Sequence, residues 1–380
     1  MPDVMTKRMV AAVSLCSAAV FLWAAVPVAT QTPVGERTFL SRVRRLTVEG
    51  KRAGEGYWSP DGKKLVFQSE RDPANPFYQI YVLDFATGET KRISPGMGKT
   101  TCAFFRPGSD EIMFGSTHLD PKSLQYQKEE LDFRASGKER RYAWDYDPEM
   151  DIFAYSEKTG AMKRLTTAKG YDAEGGYSPD GQWIVFSSMR DAYNRTLTDT
   201  EQKQLALDAS YFAEVYIMKA DGSDQKRLTD WPGYDGGTFF TKDGRIVWRH
   251  FEENGLIANV WTMKPDGTDR KQITDFGAMS WAPYEHPSGE YFVFASNKLG
   301  FENFEVFMVD KDGLKEPVRI TYSDGFDGLP VPSPDGTQLA FTSSRAGGAG
   351  AAGQIYLAQW NHEAATAALK AAPPRKPSGK

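Results

Sequence analysis

Trp58-Ser59-Pro60-Asp61-Gly62, followed by Leu65-Val66-Phe67-Gln68-Ser69, is the stretch on which the fold turns. A Pro-Asp-Gly turn running straight into an apolar segment is the pattern of a tight turn between two short strands. It returns as Tyr177-Ser178-Pro179-Asp180-Gly181 with Ile184-Val185-Phe186-Ser187-Ser188, and as Pro332-Ser333-Pro334-Asp335-Gly336 with Leu339-Ala340-Phe341-Thr342-Ser343. Looser copies centre on Phe105-Arg106-Pro107-Gly108, Thr241-Lys242-Asp243-Gly244 and His286-Pro287-Ser288-Gly289. Each unit continues into a second alternating pair, as in Val215-Tyr216-Ile217-Met218, a turn at Ala220-Asp221-Gly222, then Lys226-Arg227-Leu228-Thr229. Matching endings are Arg92-Ile93-Ser94, Arg164-Leu165-Thr166, Gln272-Ile273-Thr274 and Arg319-Ile320-Thr321.

Two hairpins per unit give four short antiparallel strands, a to d. One such sheet cannot bury both faces alone, so the units pack radially as blades of a propeller. Six starts predict an all-β, six-bladed β-propeller over residues 37–362, with blades at about 48–94, 95–167, 168–230, 231–275, 276–322 and 323–360. The sixth unit stops after strand c, Gln354-Ile355-Tyr356-Leu357-Ala358, and lacks an Arg-Leu-Thr ending. That ending stands at the other end of the chain, in Phe39-Leu40-Ser41-Arg42-Val43-Arg44-Arg45-Leu46-Thr47. The segment 37–47 is therefore expected to complete the last blade and remove an open edge.

Two units carry insertions after strand b, so both should rise from one face of the disc. The second holds a loop of about 35 residues between His118 and Asp151, rich in charge and aromatics, including Glu139, Arg140, Arg141, Tyr142, Trp144, Asp145, Tyr146 and Asp147. In the third, Thr198-Asp199-Thr200-Glu201 reads as a capping box opening a helix through about Ala209. The tail 363–380 reads as disordered, with at most a short alanine-rich helix from Glu363 before Pro373-Pro374.

Composition narrows the class. Against 50 acidic residues stand 46 basic ones, a net charge of -4, which leaves no strong positive excess for neutralising phosphates, so no nucleic-acid partner is expected. Two cysteines exclude a disulfide scaffold or a thiolate zinc cluster. The 35 glycines and 22 prolines fit many short strands joined by turns. Lys7 and Arg8 precede a nearly uncharged run from Met9 to Val26, then Pro27, Val28, Ala29 and Thr30, so residues 1–30 read as a secretory signal peptide. The alternatives are an uncleaved membrane anchor and lipidation at Cys16. Cleavage would leave Cys102 alone, without an internal disulfide, in a periplasmic or secreted protein with no membrane span and an expected monomeric state.

The Ser-Pro-Asp-Gly turns followed by hydrophobic strands, over about residues 40 to 360, resemble the TolB-type propeller family of bacterial periplasmic proteins. The resemblance implies the propeller fold, and by analogy a binding or scaffold role toward an envelope protein, peptide or glycan. The sequence departs from TolB itself, which carries an additional N-terminal α/β domain where this chain passes from leader to propeller. Related repeats also occur in peptidase-associated propellers and sugar-processing enzymes, so function has to be argued from the site.

Catalytic signatures are scarce: no Gly-x-Ser-x-Gly elbow, phosphate loop or dinucleotide fingerprint is present. The four histidines, His118, His250, His286 and His362, form neither a His-x-His nor a His-Glu-x-x-His motif. A different pattern precedes strand a, where Gly170-Tyr171-Asp172, Gly233-Tyr234-Asp235 and Gly325-Phe326-Asp327 stand at equal distances from their turns. With strand a innermost, Asp172, Asp235 and Asp327 are expected at one channel mouth, with Glu55 and Glu174 further in. Such carboxylates have the chemistry to hold a hard cation such as calcium, a cationic peptide or sugar hydroxyls.

The plainer account is structural. Hairpin symmetry about Gly181 and Gly336 sets Asp172 against Arg190 and Asp327 against Arg345, as cross-strand ion pairs. Asp235 differs, because its counterpart, two residues past the end of strand b, is Glu252, and His250 replaces the serine that ends strand b elsewhere. Asp235, Glu252 and His250 are therefore the leading site candidates. His118 takes the place of a recurrent arginine and is expected in an ion pair, while His286 reads as a turn residue. Trp58, Trp183, Trp231, Trp248, Trp261 and Trp281 are expected to pack between blades, whereas Tyr142, Trp144 and Tyr146 lie in a loop suited to contact with a ligand or partner. A binding or scaffold module is the first reading. The rival is a metal-dependent or acid/base hydrolase or lyase acting on a saccharide or peptide with Asp172, Asp235, Glu252 and His250.

Overall fold

The computed structural model describes residues 35–138, 145–347 and 351–376. It contains six four-stranded antiparallel sheets, each ordered a-b-c-d from the axis outward. The inner strands are Arg52–Trp58, Thr100–Phe105, Asp172–Tyr177, Tyr234–Phe240, Ser280–Glu285 and Asp327–Pro332. In the sixth sheet the outermost strand is Leu40–Arg45, which pairs with Gln354–Trp360 in the register Leu40↔Trp360 and Arg45↔Tyr356. The ring thus closes by the first strand completing the last blade. Thr47 locks the joint, since its hydroxyl donates to Gln354 Oε1 at 2.8 Å and accepts from Ile355 N at 2.9 Å.

The core lies where neighbouring sheets face each other. Leu65, Val66, Ile112, Ile184, Val185, Ile246, Phe294 and Leu339 of the b strands are fully buried, because these strands are sandwiched on both faces. Large rings fill the widening gap between blades, as where Trp248 lies among Trp231 and Trp261. Trp183 departs from the expected packing and is 37% exposed.

Each Pro-Asp-Gly turn is fixed by its own side chains. Ser59 Oγ donates to Asp61 Oδ1 at 2.6 Å and accepts from Lys64 N at 2.9 Å, and Ser178 and Ser333 repeat the arrangement. Gly62, Gly181 and Gly336 take φ of 70°, 68° and 71°, the left-handed region that such turns require.

Both insertions carry helices. Thr198 caps Asp199–Leu207 with a full capping box, its hydroxyl accepting from Glu201 N while Glu201 accepts from Thr198 N. A short 3-10 turn, Ala209–Phe212, follows. In the second blade Ser123–Ala135 is a helix that no apolar periodicity announces, because polar groups anchor it. Gln127 Oε1 accepts from Gly98 N at 2.7 Å, and Arg134 donates to Glu70 at 2.6 Å and to Pro76 O at 2.9 Å.

The tail corrects the expectation of disorder. His362–Ala371 is a helix capped by Asn361, whose side chain accepts from Ala364 N. Ala365 and Leu369, four residues apart, are buried against the cluster containing Phe39, Tyr291 and Trp360. Beyond it Arg375 donates to Ile273 O at 2.9 Å. Small side chains look featureless in a sequence, yet here they let the helix sit close to the fifth and sixth blades.

Candidate functional site

The channel is built by one repeated irregularity. Every inner strand shifts register against strand b just before its middle, between Gly54 and Tyr57, Thr101 and Phe104, Ala173 and Gly176, Gly236 and Phe239, Trp281 and Tyr284, and Gly328 and Val331. At each bulge one residue adopts a left-handed backbone, with φ of 55° at Glu55, 53° at Cys102, 56° at Glu174, 60° at Gly237, 50° at Ala282 and 52° at Leu329. Each stands four residues before the turn residue of its blade, and all six line one axial cavity. The bulge turns these side chains toward the axis, as bulges do beside sites.

Two residues along the strands, Tyr57, Phe104, Phe239 and Tyr284 close the shaft with rings whose centroids lie 5.1–6.2 Å apart. On the other side Tyr146 of the second-blade insertion meets Tyr171 and Tyr234 edge-on, at 5.4 and 5.6 Å. Lys99 holds the base of that insertion through Asp145 at 2.6 Å and Asp147 at 2.8 Å. Between floor and roof lies a pit of about 30 Å³.

Its polar groups come from blades one to four. Glu174 accepts from Gly237 N at 2.8 Å, from Arg249 Nη2 at 2.9 Å and from the Tyr234 hydroxyl. Arg249 lies over Gly237, where a Cβ would stand 1.9 Å from its Nη1, so arginine and glycine are fitted to one another. Glu55 is reached by Cys102 Sγ at 3.3 Å and by the Tyr57 hydroxyl at 3.4 Å. It keeps accessible surface toward the pit it lines, but protein surrounds its carboxyl, and this burial pushes its pKa up to about 7. The Cys102 thiol is pushed up by burial and then by Glu55.

The three aspartates lie elsewhere. Asp172, Asp235 and Asp327 are fully buried in the seams between blades instead of at the mouth. Their backbone amides bond to Met150, Ala213 and Phe304 of the preceding blade. Arg190 reaches Asp172 and Arg345 reaches Asp327, both at 2.7 Å, so the expected ion pairs form. Their backbone partners, however, are Ser188 and Ser343, two residues short of the arginines, because the bulge offsets the hairpin. The same offset sets Asp235 opposite His250, not Glu252, and His250 Nδ1 lies 2.8 Å from Asp235 Oδ1. Glu252 is exposed.

Each seam also receives a residue from the start of the preceding strand c: Gln354, Gln79, Asp151, Glu214, Asn259 and Glu305, against Ala53, Thr100, Asp172, Asp235, Ser280 and Asp327 in turn. An acid stands on one side wherever an acid stands on the other, and an amide wherever the partner is Ala, Thr or Ser. Each outer acid is held by the Arg and Thr of the Arg-x-Thr ending, as Glu214 is by Arg227 at 2.5 Å and Thr229 at 2.6 Å. Burial raises Asp151 and Asp172 to about 6, and burial with the Asp235 charge raises Glu214 to about 8.

Of the remaining candidates, Tyr146 and Glu252 share a groove of about 220 Å³ with Tyr234 and Trp281 at the mouth, whereas Tyr142 and Trp144 lie outside the described residues. A second cavity of about 590 Å³ opens on the other side of Tyr146, against Phe77, Tyr126 and Phe133. His118 corrects its expected ion pair: it bonds Ser116 Oγ at 2.9 Å, as Arg71 and Arg190 bond their serines, and packs on Phe153. His286 stacks on Tyr291 and His362 beside its turn, and burial lowers it to about 4. Among the described residues no three His, Cys, Asp or Glu side chains converge to hold a metal ion. Cys102 and Arg249 are not singled out as site residues by the sequence. The signal for both was positional, since Cys102 stands in the register of Glu55 and Glu174, and Arg249 stands where other blades carry Gly115, Ser187, Ala295 and Thr342.

No family model matches the sequence. A Bacillus subtilis protein named as an uncharacterized peptidase is 28% identical over 176 residues, 44% of this chain and 24% of its own length. An uncharacterized protein of Agrobacterium fabrum is 27% identical over 192 residues, 46% of this chain and 57% of its own. The chain therefore spans less than two thirds of either relative. Among solved structures, one described as TolB of Agrobacterium tumefaciens aligns with TM-score 0.55 and 20% identity over 84% of this chain and 93% of that one. TolB of Acinetobacter baumannii aligns with 0.51 and 14% over 82% and 64%. An oligogalacturonate lyase of Vibrio parahaemolyticus aligns with 0.50 and 13% over 84% and 94%. The chain has the TolB-like six-bladed β-propeller fold.

Proposed function

We propose that this chain is an exported, periplasmic propeller that acts as a binding or scaffold module, presenting its insertion face to a protein, peptide or glycan. The observation that carries this reading is the division of labour among its acids. Asp172, Asp235 and Asp327 tie blades together, while the face bearing both insertions keeps two cavities that share Tyr146, beside an axial pit. Long loops on a rigid scaffold are the usual seat of recognition. Export rests on the leader read from the sequence, which lies outside the described residues; among these no helix is long and apolar enough to cross a membrane.

The test is site-specific photocrosslinking in the intact envelope. A photoreactive residue at Tyr146 is expected to capture a discrete partner, and one at Lys63, on the turn face, is not. Equal labelling from both positions, or none from Tyr146, would overturn the reading. A second reading, a hydrolase or lyase working in the pit, is favoured by Glu55, a carboxyl near 7 able to exchange a proton at neutral pH. Turnover of a saccharide or peptide that is lost in Glu55→Gln would establish it.

A further inference from the structure

The shaft ends blind. Its floor of Tyr57, Phe104, Phe239 and Tyr284 admits no through-passage, so whatever enters the ring presents an end and not a mid-chain segment. Its charges are unevenly matched. Glu174 is met by Arg249, Gly237 N and Tyr234, whereas Glu55 is met only by a thiol and a phenol at 3.3 and 3.4 Å among the contacts described above. Arg249, the cation whose field reaches Glu55, is already engaged with Glu174 and Tyr234. A buried carboxylate without its own counter-ion is costly unless a cation arrives. Independently, Arg249, 5% exposed and lining the same pit, has an Nε–H with no acceptor. The opening of about 30 Å³ fits one small polar group, and its lining includes Tyr57, Tyr171 and Trp281, rings of the kind whose faces attract a cation.

We propose that the pit is a receptor for a primary ammonium group, the α-amino end of a peptide or the tip of a lysine side chain, with the ammonium on Glu55 and the orphaned Arg249 Nε–H turned to a carbonyl oxygen of the same ligand. This rests on the binding role proposed for the insertion face. The α-amino source uses both groups at once, because a carbonyl follows the carbon that bears the amine. No bond is made or broken, and Glu55 only exchanges its shared contacts for an ion pair.

The test is calorimetric titration of the full chain at pH 8 with Gly-Gly-Gly, with N-acetyl-Gly-Gly-Gly and with Nα-acetyl-lysine methylamide. Binding of the first and not the second is expected, with affinity falling at least tenfold in Glu55→Gln. Binding of the lysine probe alone keeps the ammonium receptor and assigns the side-chain source. Binding of neither amine, or binding of the acetylated peptide as tightly as the unblocked one, overturns the proposal and leaves the pit to water. Should Glu55→Gln fail to fold, the pH profile of the wild type decides. Facing Cys102, Tyr57, Glu174 and Arg249, Glu55 ionises near 7, so affinity for Gly-Gly-Gly must rise from pH 6 to about 7.5 and then level, as the α-amine loses its own proton at about 8. A flat profile between pH 6 and 8 counts against it. If Tyr146 captures a partner while no amine binds, the receptor falls and the binding module stands; the reverse result separates them the other way.

Discussion

His250 Nδ1 lies 2.8 Å from Asp235 Oδ1, where the third and sixth blades set Ser188 with Arg190, and Ser343 with Arg345, against the equivalent aspartates. Asp235 is fully buried, Trp248 Nε1 supplies its other donor at 2.8 Å, and its second oxygen has no partner among the described residues. One imidazole stands where the third blade sets a hydroxyl and a guanidinium, and it shares a single carboxylate oxygen with the Trp248 indole. Replacing His250 with serine should cost about 1–3 kcal/mol, the price of a buried acceptor left short. His250→Ser with Glu252→Arg rebuilds the arrangement of the sister blades and should recover most of the loss. Urea unfolding of the three proteins checks this; a double variant no better than the single one would show that the pair is incidental.

The seam beside it sets the pH response. Glu214 faces Asp235, and burial with that charge lifts its carboxyl to about 8, against an ordinary 4.5. An acid whose folded pKa is raised binds its proton more tightly folded than unfolded. Its contribution is therefore whole below about 4.5 and drains away as pH climbs to about 8. Asp151 and Asp172, raised to about 6, and Glu55, raised to about 7, act in the same direction lower in the window. Denaturant midpoints should fall from pH 5 to pH 8. Glu214→Gln, which installs the amide found at Gln79 and Gln354, should flatten the segment between 6 and 8. An unchanged slope there would mean that Glu214 stays ionised in the folded chain.

Closure of the ring is testable by deletion. Removing residues 37–47 takes away the strand Leu40–Arg45, uncovers the Gln354–Trp360 edge and strips Phe39 from the cluster that seats the C-terminal helix. Cooperative unfolding should be lost, since every blade depends on two neighbours. A melting transition of unchanged midpoint and sharpness would refute the closure.

Sequence reading reached the architecture because turns advertise themselves: Ser59-Pro60-Asp61-Gly62 satisfies its own hydrogen bonds, so its chemistry is local and visible in one dimension. It failed where geometry depends on an offset. Counting symmetrically from Gly181 and Gly336 paired the aspartates with the right arginines only because a long side chain spans the two-residue error. For Asp235 the position two past the end of strand b points to Glu252 over His250, since a bulge at Gly237 is invisible without the opposing strand. The docking of the helix His362–Ala371 is illegible for a related reason, as its order is owed to Tyr291 and Trp360, far away in sequence.

Tyr146 packs on Tyr171, which lines the pit together with Cys102, so Cys102 reports on it. The thiol is 8% exposed and its pKa is held above the ordinary thiol value by burial, so wild-type protein should alkylate slowly at neutral pH. Tyr146 reaches the pit through Tyr171 and Tyr234, and Tyr171 lines the cavity together with Cys102. Tyr146→Ala removes the edge-on contacts and leaves every strand pairing in place. Iodoacetamide labelling of Cys102, followed by peptide mass mapping, should then quicken ~10-fold, which corresponds to about 1.4 kcal/mol less resistance to opening. The melting temperature should move little, because the insertion lies outside the sheets. Labelling as slow as in the wild type would place the barrier in the ring itself and remove Tyr146 as its gate.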